Sequence, residues 1–146
     1  MIENDGDDGR LLLAETTPAP PAAASNVDVR VQRTIHANKW STICLPFAMS
    51  AAQVTAAFGS DVELADFTDW TTETDGGGDI VSILVEFTEV NNIQANHPYI
   101  IRTTADIAEF TVDGVSVKAS DDPVVTVTGE DGDIVPESRT WSGEDF

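Results

Sequence analysis

Few residues in this chain could carry nucleophilic or metal chemistry: one cysteine, Cys44, and two histidines, His36 and His97, set against 26 Asp plus Glu. Covalent catalysis needs a Ser or Cys beside an activating base. Cys44 alternates with apolar residues in a β-forming run, where burial raises a thiol's pKa and leaves it a small hydrophobe, so core packing is its expected role. A single cysteine also excludes an intramolecular disulfide and any zinc site built on several cysteines. His36 ends a predicted strand and His97 precedes Pro98 in a turn, which places both at the surface rather than among ligands.

The carboxylates offer two further chemistries. Asp66 and Asp69 stand near Trp70, and an aromatic platform with flanking acceptors is what a sugar ring needs. The competing role for Trp70 is a core or hairpin aromatic. Paired carboxylates also run glycoside hydrolysis, but with 26 acids in 146 residues the sequence singles out no pair. Calcium takes several oxygens from a loop. Asp75 and Asp79 bracket Gly76, Gly77 and Gly78; Asp5, Asp7 and Asp8 form a second acidic run, and Glu130, Asp131 and Asp133 a third. None has the EF-hand spacing with its closing Glu. The alternative is a solvated acidic surface that maintains solubility. Between Lys39 and Arg102 lie nine acids and no Lys or Arg, so folding is expected to strengthen as salt screens their repulsion.

Composition narrows the partners. Only 7 Lys plus Arg give a net charge of −19 and a pI near 4.1, which excludes phosphate-driven binding to nucleic acid and attraction to anionic lipid. No run approaches the roughly 18 apolar residues of a membrane helix, so direct membrane insertion is not expected. The N-terminus, Met1 to Arg10, is acidic where a signal peptide would be basic and then apolar. At 41% hydrophobic, 146 residues are enough for a true core.

The elements that would position these residues are mostly strands. Residues 1–26 read as an acidic segment and a Pro/Ala-rich spacer, with the domain running from 27 to 146. Val27, Val29, Val31 and Ile35 alternate with polar residues, the period of a strand with one wet face. Trp40 to Leu45 is a second β-forming run, with Trp40, Thr42 and Cys44 on one face, Ser41, Ile43 and Leu45 on the other, and Pro46 as its stop. Ser50 as N-cap, Gln53 closing a capping box, Met49 and Val54 as a hydrophobic staple, and Gly59 as C-cap predict a helix over 51–58 with Phe58 on its packed face. Val62 to Trp70 and Ile80 to Phe87 flank a polar tip, which predicts a hairpin. Tyr99 to Thr103 is a further strand, and Asp113-Gly114 is the preferred dipeptide of a two-residue turn joining 110–112 to 115–117. Val124, Val125 and Val127 give one more strand; Gly129 to Phe146 is weakly patterned. The sum is a mainly β chain: an antiparallel β-sandwich of about seven or eight short strands with one short helix.

The strings Lys39-Trp40-Ser41-Thr42-Ile43-Cys44-Leu45-Pro46-Phe47, Phe58-Gly59 and Ala95-Asn96-His97-Pro98-Tyr99-Ile100-Ile101, with Arg33-Thr34-Ile35 before them, resemble an uncharacterised β-module of Bacteroidetes surface and secreted proteins. That module carries W-[NS]-T-[IL]-C-L-P-F, a helix ending in F-G, and A-x-x-P-Y-[IL]-[IV]. The opening Ile2-Glu3-Asn4 with Asp7 and Asp8 is similar to an element often found before the arginine. The resemblance implies structural roles only: Trp40 and Phe47 in the core, Pro46 and Pro98 as fixed turns, Tyr99 anchoring a strand. Such modules typically lie near the C-terminal end of large exported proteins and continue into further strands, which implies a truncated sandwich with an uncovered apolar face. The expectation is therefore a non-enzymatic structural or adhesive module of an exported surface protein, lying outside the cell and needing no cofactor. Its expected partners are other domains of that protein, glycans or host proteins. The alternative is a glycan-binding or calcium-assisted accessory module, with Trp70 or Trp141 exposed beside carboxylates.

Overall fold

The computed structural model describes residues 10–14 and 22–119 in full, and the backbone alone of 3–4, 124–131 and 135–142. In chain order the elements are β1 (Glu3–Asn4), β2 (Leu11–Ala14), β3 (Ala24–Ile35), β4 (Ser41–Cys44), α1 (Ala51–Phe58), β5 (Glu63–Thr74), β6 (Ile80–Glu89), β7 (Pro98–Arg102), β8 (Ile107–Val117), β9 (Val124–Asp131) and β10 (Val135–Ser142). One sheet runs β1-β2-β3-β8, with β2 parallel to β3 and the other pairs antiparallel. The second runs β10-β9-β5-β7-β4, with β6 along the other edge of β5. The chain is thus mainly β and sandwich-like, with one short helix, as its alternating pattern predicts.

The core lies where the two sheets face each other. Val29, Val31 and Ile35 of β3 and Phe110, Val112, Val115 and Val117 of β8 meet Ile43 of β4, Leu64 of β5 and Tyr99 and Ile101 of β7. Period-two alternation on each strand delivers these residues to one face. The helix begins as its sequence directs: the Gln53 backbone N–H donates to the Ser50 hydroxyl, and the Ser50 N–H donates to the Gln53 side chain. Its buried residues are Val54 and Phe58, each contributing about 1.5–3 kcal/mol on full burial. The Phe58 ring meets Phe110 of β8 edge-on at 4.7 Å, which seats the helix on the first sheet. Gly59 ends it at φ 98°, ψ 164°, a positive φ but not the left-handed helical cap the sequence predicts.

Several expectations are corrected. Asp113-Gly114 does not turn a hairpin; both halves belong to the single strand β8, because β3 pairs with each of them. Between the pairs Val29↔Val112 and Val27↔Val115, β8 carries one residue more than β3, and Gly114 takes φ 64° in this bulge while its N–H donates to Asp28 Oδ1 at 2.9 Å. The β5–β6 hairpin is longer than predicted: Thr71 to Thr74 stay in the strand, and only residues 75–79 form the loop. Leu11–Ala14 lies before the expected boundary at 26, yet it pairs with β3 and packs Leu11 and Leu13 against the core. Most of the Pro/Ala tract falls outside the described residues. The weakly patterned end forms β10, paired to β9 from Val135↔Asp131 to Ser142↔Val124.

Trp40 and Cys44 are not core residues. On β4 the inward face is that of Ile43 and Leu45, so the same alternation turns Cys44 outward and leaves Trp40, just before the strand, 51% exposed. Phe47, Phe58 and Tyr99 are buried, as is Pro98 at the start of β7. Pro46 is half-buried beyond the end of β4.

Candidate functional site

The residues with chemical potential scatter over the second sheet. Trp70, on β5, is 2% exposed, so it cannot serve as a stacking platform for a sugar. It shares a buried face of β5 with Phe67 and Thr72, across a register shift between Phe67 and Asp69, and this is the face opposite to that of Leu64. Asp69 turns back on the chain, its Oδ1 accepting the Trp70 backbone N–H at 2.8 Å. The side chain of Trp141 lies outside the described residues.

Asp66 is joined instead to His97, Nε2 to Oδ1 at 2.8 Å, with about a quarter of each side chain exposed. The imidazole lies against the Tyr99 ring at 4.8 Å, and the Tyr99 hydroxyl accepts the Gln94 N–H at 3.0 Å. Burial pushes the Tyr99 phenol up, opposed by that hydrogen bond and reinforced by the charges of Asp66 and Cys44. The sequence carries no signal for this pairing: Asp66 and His97 are 31 residues apart and meet because β5 and β7 are neighbours. The arrangement ties the turn before β7 to β5.

Cys44 is open to solvent as a residue, yet the surrounding protein desolvates its thiol. Its pKa is pushed up to about 11, with the Arg33 guanidinium pulling the other way. A thiol so rarely ionised at neutral pH is a poor nucleophile. Arg33 itself, half-buried on β3, donates to the Thr42 carbonyl and bridges the two sheets.

The glycine loop uses its own carboxylate. Asp75 Oδ1 accepts the Gly77 N–H at 2.8 Å and the Asp79 N–H at 3.1 Å, and these bonds hold its carboxyl below the usual range. That is the Asx-turn chemistry of a tight loop. Among the described residues no group of three or more His, Cys, Asp or Glu is arranged to hold a metal ion. The acidic runs at Asp5, Asp7 and Asp8 and at Glu130, Asp131 and Asp133 lie outside the described side chains. His36 and Asp106 form an exposed contact at 3.8 Å, while Asp106 also accepts the Ala37 N–H. A shallow, open hollow of about 280 Å³ is lined by Asn38, Asp61, Glu63, Arg102, Thr103 and Thr104. The Arg102–Glu63 ion pair at 3.0 Å closes one side of it.

The most unusual surface is β6, the second strand of the hairpin that the sequence predicts. Ile80, Val81, Ile83, Leu84, Val85 and Phe87 are 39% to 62% exposed. Ile83, Val85 and Phe87 stand opposite Thr72, Trp70 and Phe67, so they continue the buried face of β5 out past the cover that Trp70 enjoys. Phe87 touches Phe67 at 5.7 Å between ring centres. On the other face the exposed Leu84 stands opposite Thr71 among polar rungs, with Ser82 donating to Glu73 and Thr68 bonded to Thr88. Among the described residues no strand pairs with the second edge of β6.

Compared with models of protein families, with curated proteins and with solved structures, the chain has no match. What the geometry defines is a class: a mainly β, sandwich-like protein with apolar residues exposed along the strand β6. Among the described residues no helix is long and apolar enough to cross a membrane.

Proposed function

We propose that this chain is a non-enzymatic structural or adhesive module of an exported bacterial surface protein, working by contact through the β5–β6 hairpin. The observation that carries the reading is the row Ile83, Val85 and Phe87, exposed together on one face of β6, since clustered exposed apolar residues mark an interaction site. The motifs from Trp40 to Phe47 and from Ala95 to Ile101, through their resemblance to modules of surface and secreted proteins, support export. Expected partners are neighbouring domains or host proteins. A glycan-binding reading loses its main support with the burial of Trp70.

Labelling intact producing cells with an antibody to the chain tests the reading. Signal on unpermeabilised cells is expected; signal only after permeabilisation overturns surface exposure. Incubation with panels of glycoside, ester and peptide substrates is expected to give no turnover, and turnover that tracks the purified chain overturns the non-enzymatic assignment.

A further inference from the structure

We infer that the free edge of β6 accepts one extended segment of another protein as an added strand, and that this segment is apolar in its middle and carries Lys or Arg at both ends. The inference rests on the contact reading above and names the chemistry of the partner.

Half the backbone N–H and C=O groups of a paired strand point to each neighbour. Along Ile80–Glu89 one set is taken by β5, and no described strand takes the other. Edge strands in soluble proteins are usually blunted by Pro, Lys or brevity. β6 has ten residues and neither Pro nor Lys. An added strand would satisfy these groups, and its alternate side chains would cover Ile83, Val85 and Phe87, the mode in which peptides augment exposed sheet edges.

Charge selects the occupant. Asp75 and Asp79 stand before the apolar stretch, Glu86 and Glu89 toward its end, and no Lys or Arg occurs between Lys39 and Arg102. A segment with cationic ends meets opposite charge at both ends of the strand. A second copy does not. Antiparallel pairing of two β6 strands centred on Leu84 brings Asp79 of one copy to Glu89 of the other at both ends, and parallel pairing in register sets Glu86 and Glu89 against themselves. Each copy also brings a net charge of −19. Like charges directly opposite each other destabilise a strand pair.

The test is fluorescence anisotropy of the full chain with a labelled, end-blocked peptide of alternating valine and threonine that has two lysines at each end. Controls are the same core with two glutamates at each end, and a glycine/proline core between the lysines. The lysine-ended strand peptide is expected to bind at least about tenfold more tightly than either control, and several-fold more weakly when salt rises from about 50 to about 300 mM. Ile83→Lys and Val85→Lys, at positions already exposed, are expected to lose about tenfold in binding while keeping the melting transition, so lost binding is not lost folding. Equal binding of the glycine/proline control shows generic charge attraction and overturns the inference. Equal binding by the two lysine variants overturns the site. A concentration-dependent dimer that protects β6 amides from exchange overturns the partner in favour of a second copy. In each of these cases surface labelling of intact cells still stands as the separate test of the module's function.

Discussion

β3 and β6 are both β-branched, alternating strands, and each is the antiparallel neighbour of another long strand. In β3, Val29, Val31 and Ile35 are sealed by β4, β7 and the helix-bearing β8. In β6, Ile83, Val85 and Phe87 face the same way as buried Trp70 and yet stay open to solvent. The difference is layering, not strand chemistry: β3 lies beneath the opposite sheet, whereas β6 lies at the margin of its own. Apolar area contributes to stability only when water leaves it, so the same residue type is part of the core in one strand and of the contact surface in the other.

The sharpest way to break that comparison is truncation on both sides of it. Phe47→Ala, which empties a site with no solvent exposure, is expected to cost about 3–5 kcal/mol in urea unfolding. Ile83→Ala, more than half exposed, is expected to cost under about 1 kcal/mol; equal costs would mean that β6 is covered in solution. The next effect concerns the bulge that keeps β8 in one piece. Gly114→Ala at φ 64° is expected to cost about 1–2 kcal/mol by the same measurement, and a neutral result would place the glycine outside the left-handed region. Ser50→Ala removes the helix cap at about 1 kcal/mol, expressed at the helix end and not at β6.

The smallest effect is expected at Cys44. At pH 7 Cys44→Ala should stay within about 0.5 kcal/mol of the parent, since the residue lies outside the core. The folded thiol titrates near 11 against a reference of 9.0, so the folded state holds the proton longer than the unfolded state. Its contribution is therefore intact below pH 9 and is lost as pH rises toward 11. The variant should lose less stability than the parent across that window, and alkylation of Cys44 at neutral pH should be slow. Rapid alkylation would show a thiol that water reaches freely.

The parts legible in the sequence were those decided by local chemistry. Ser50, Gln53, Val54 and Phe58 specify the helix because their bonds and contacts lie within a few residues. The alternation of β3 was legible for the same reason. The faces of β4 were legible as a pair but not as inside and outside: alternation separates Trp40 and Cys44 from Ile43 and Leu45, and only the neighbouring sheet decides which pair is buried. The Asp66–His97 contact was invisible, since no periodicity reports on a strand residue and a turn residue that meet only because β5 and β7 become neighbours.

By itself, then, the sequence determined a mainly β chain, one capped helix and a strongly acidic surface, because propensity, capping and net charge are properties of short segments or of composition. Tertiary structure alone decided that Asp113-Gly114 is a bulge, that Trp70 is buried and that the apolar residues of β6 stay exposed. Each of these depends on which strand lies alongside or across, and a strand's own residues do not encode the neighbour that will cover them.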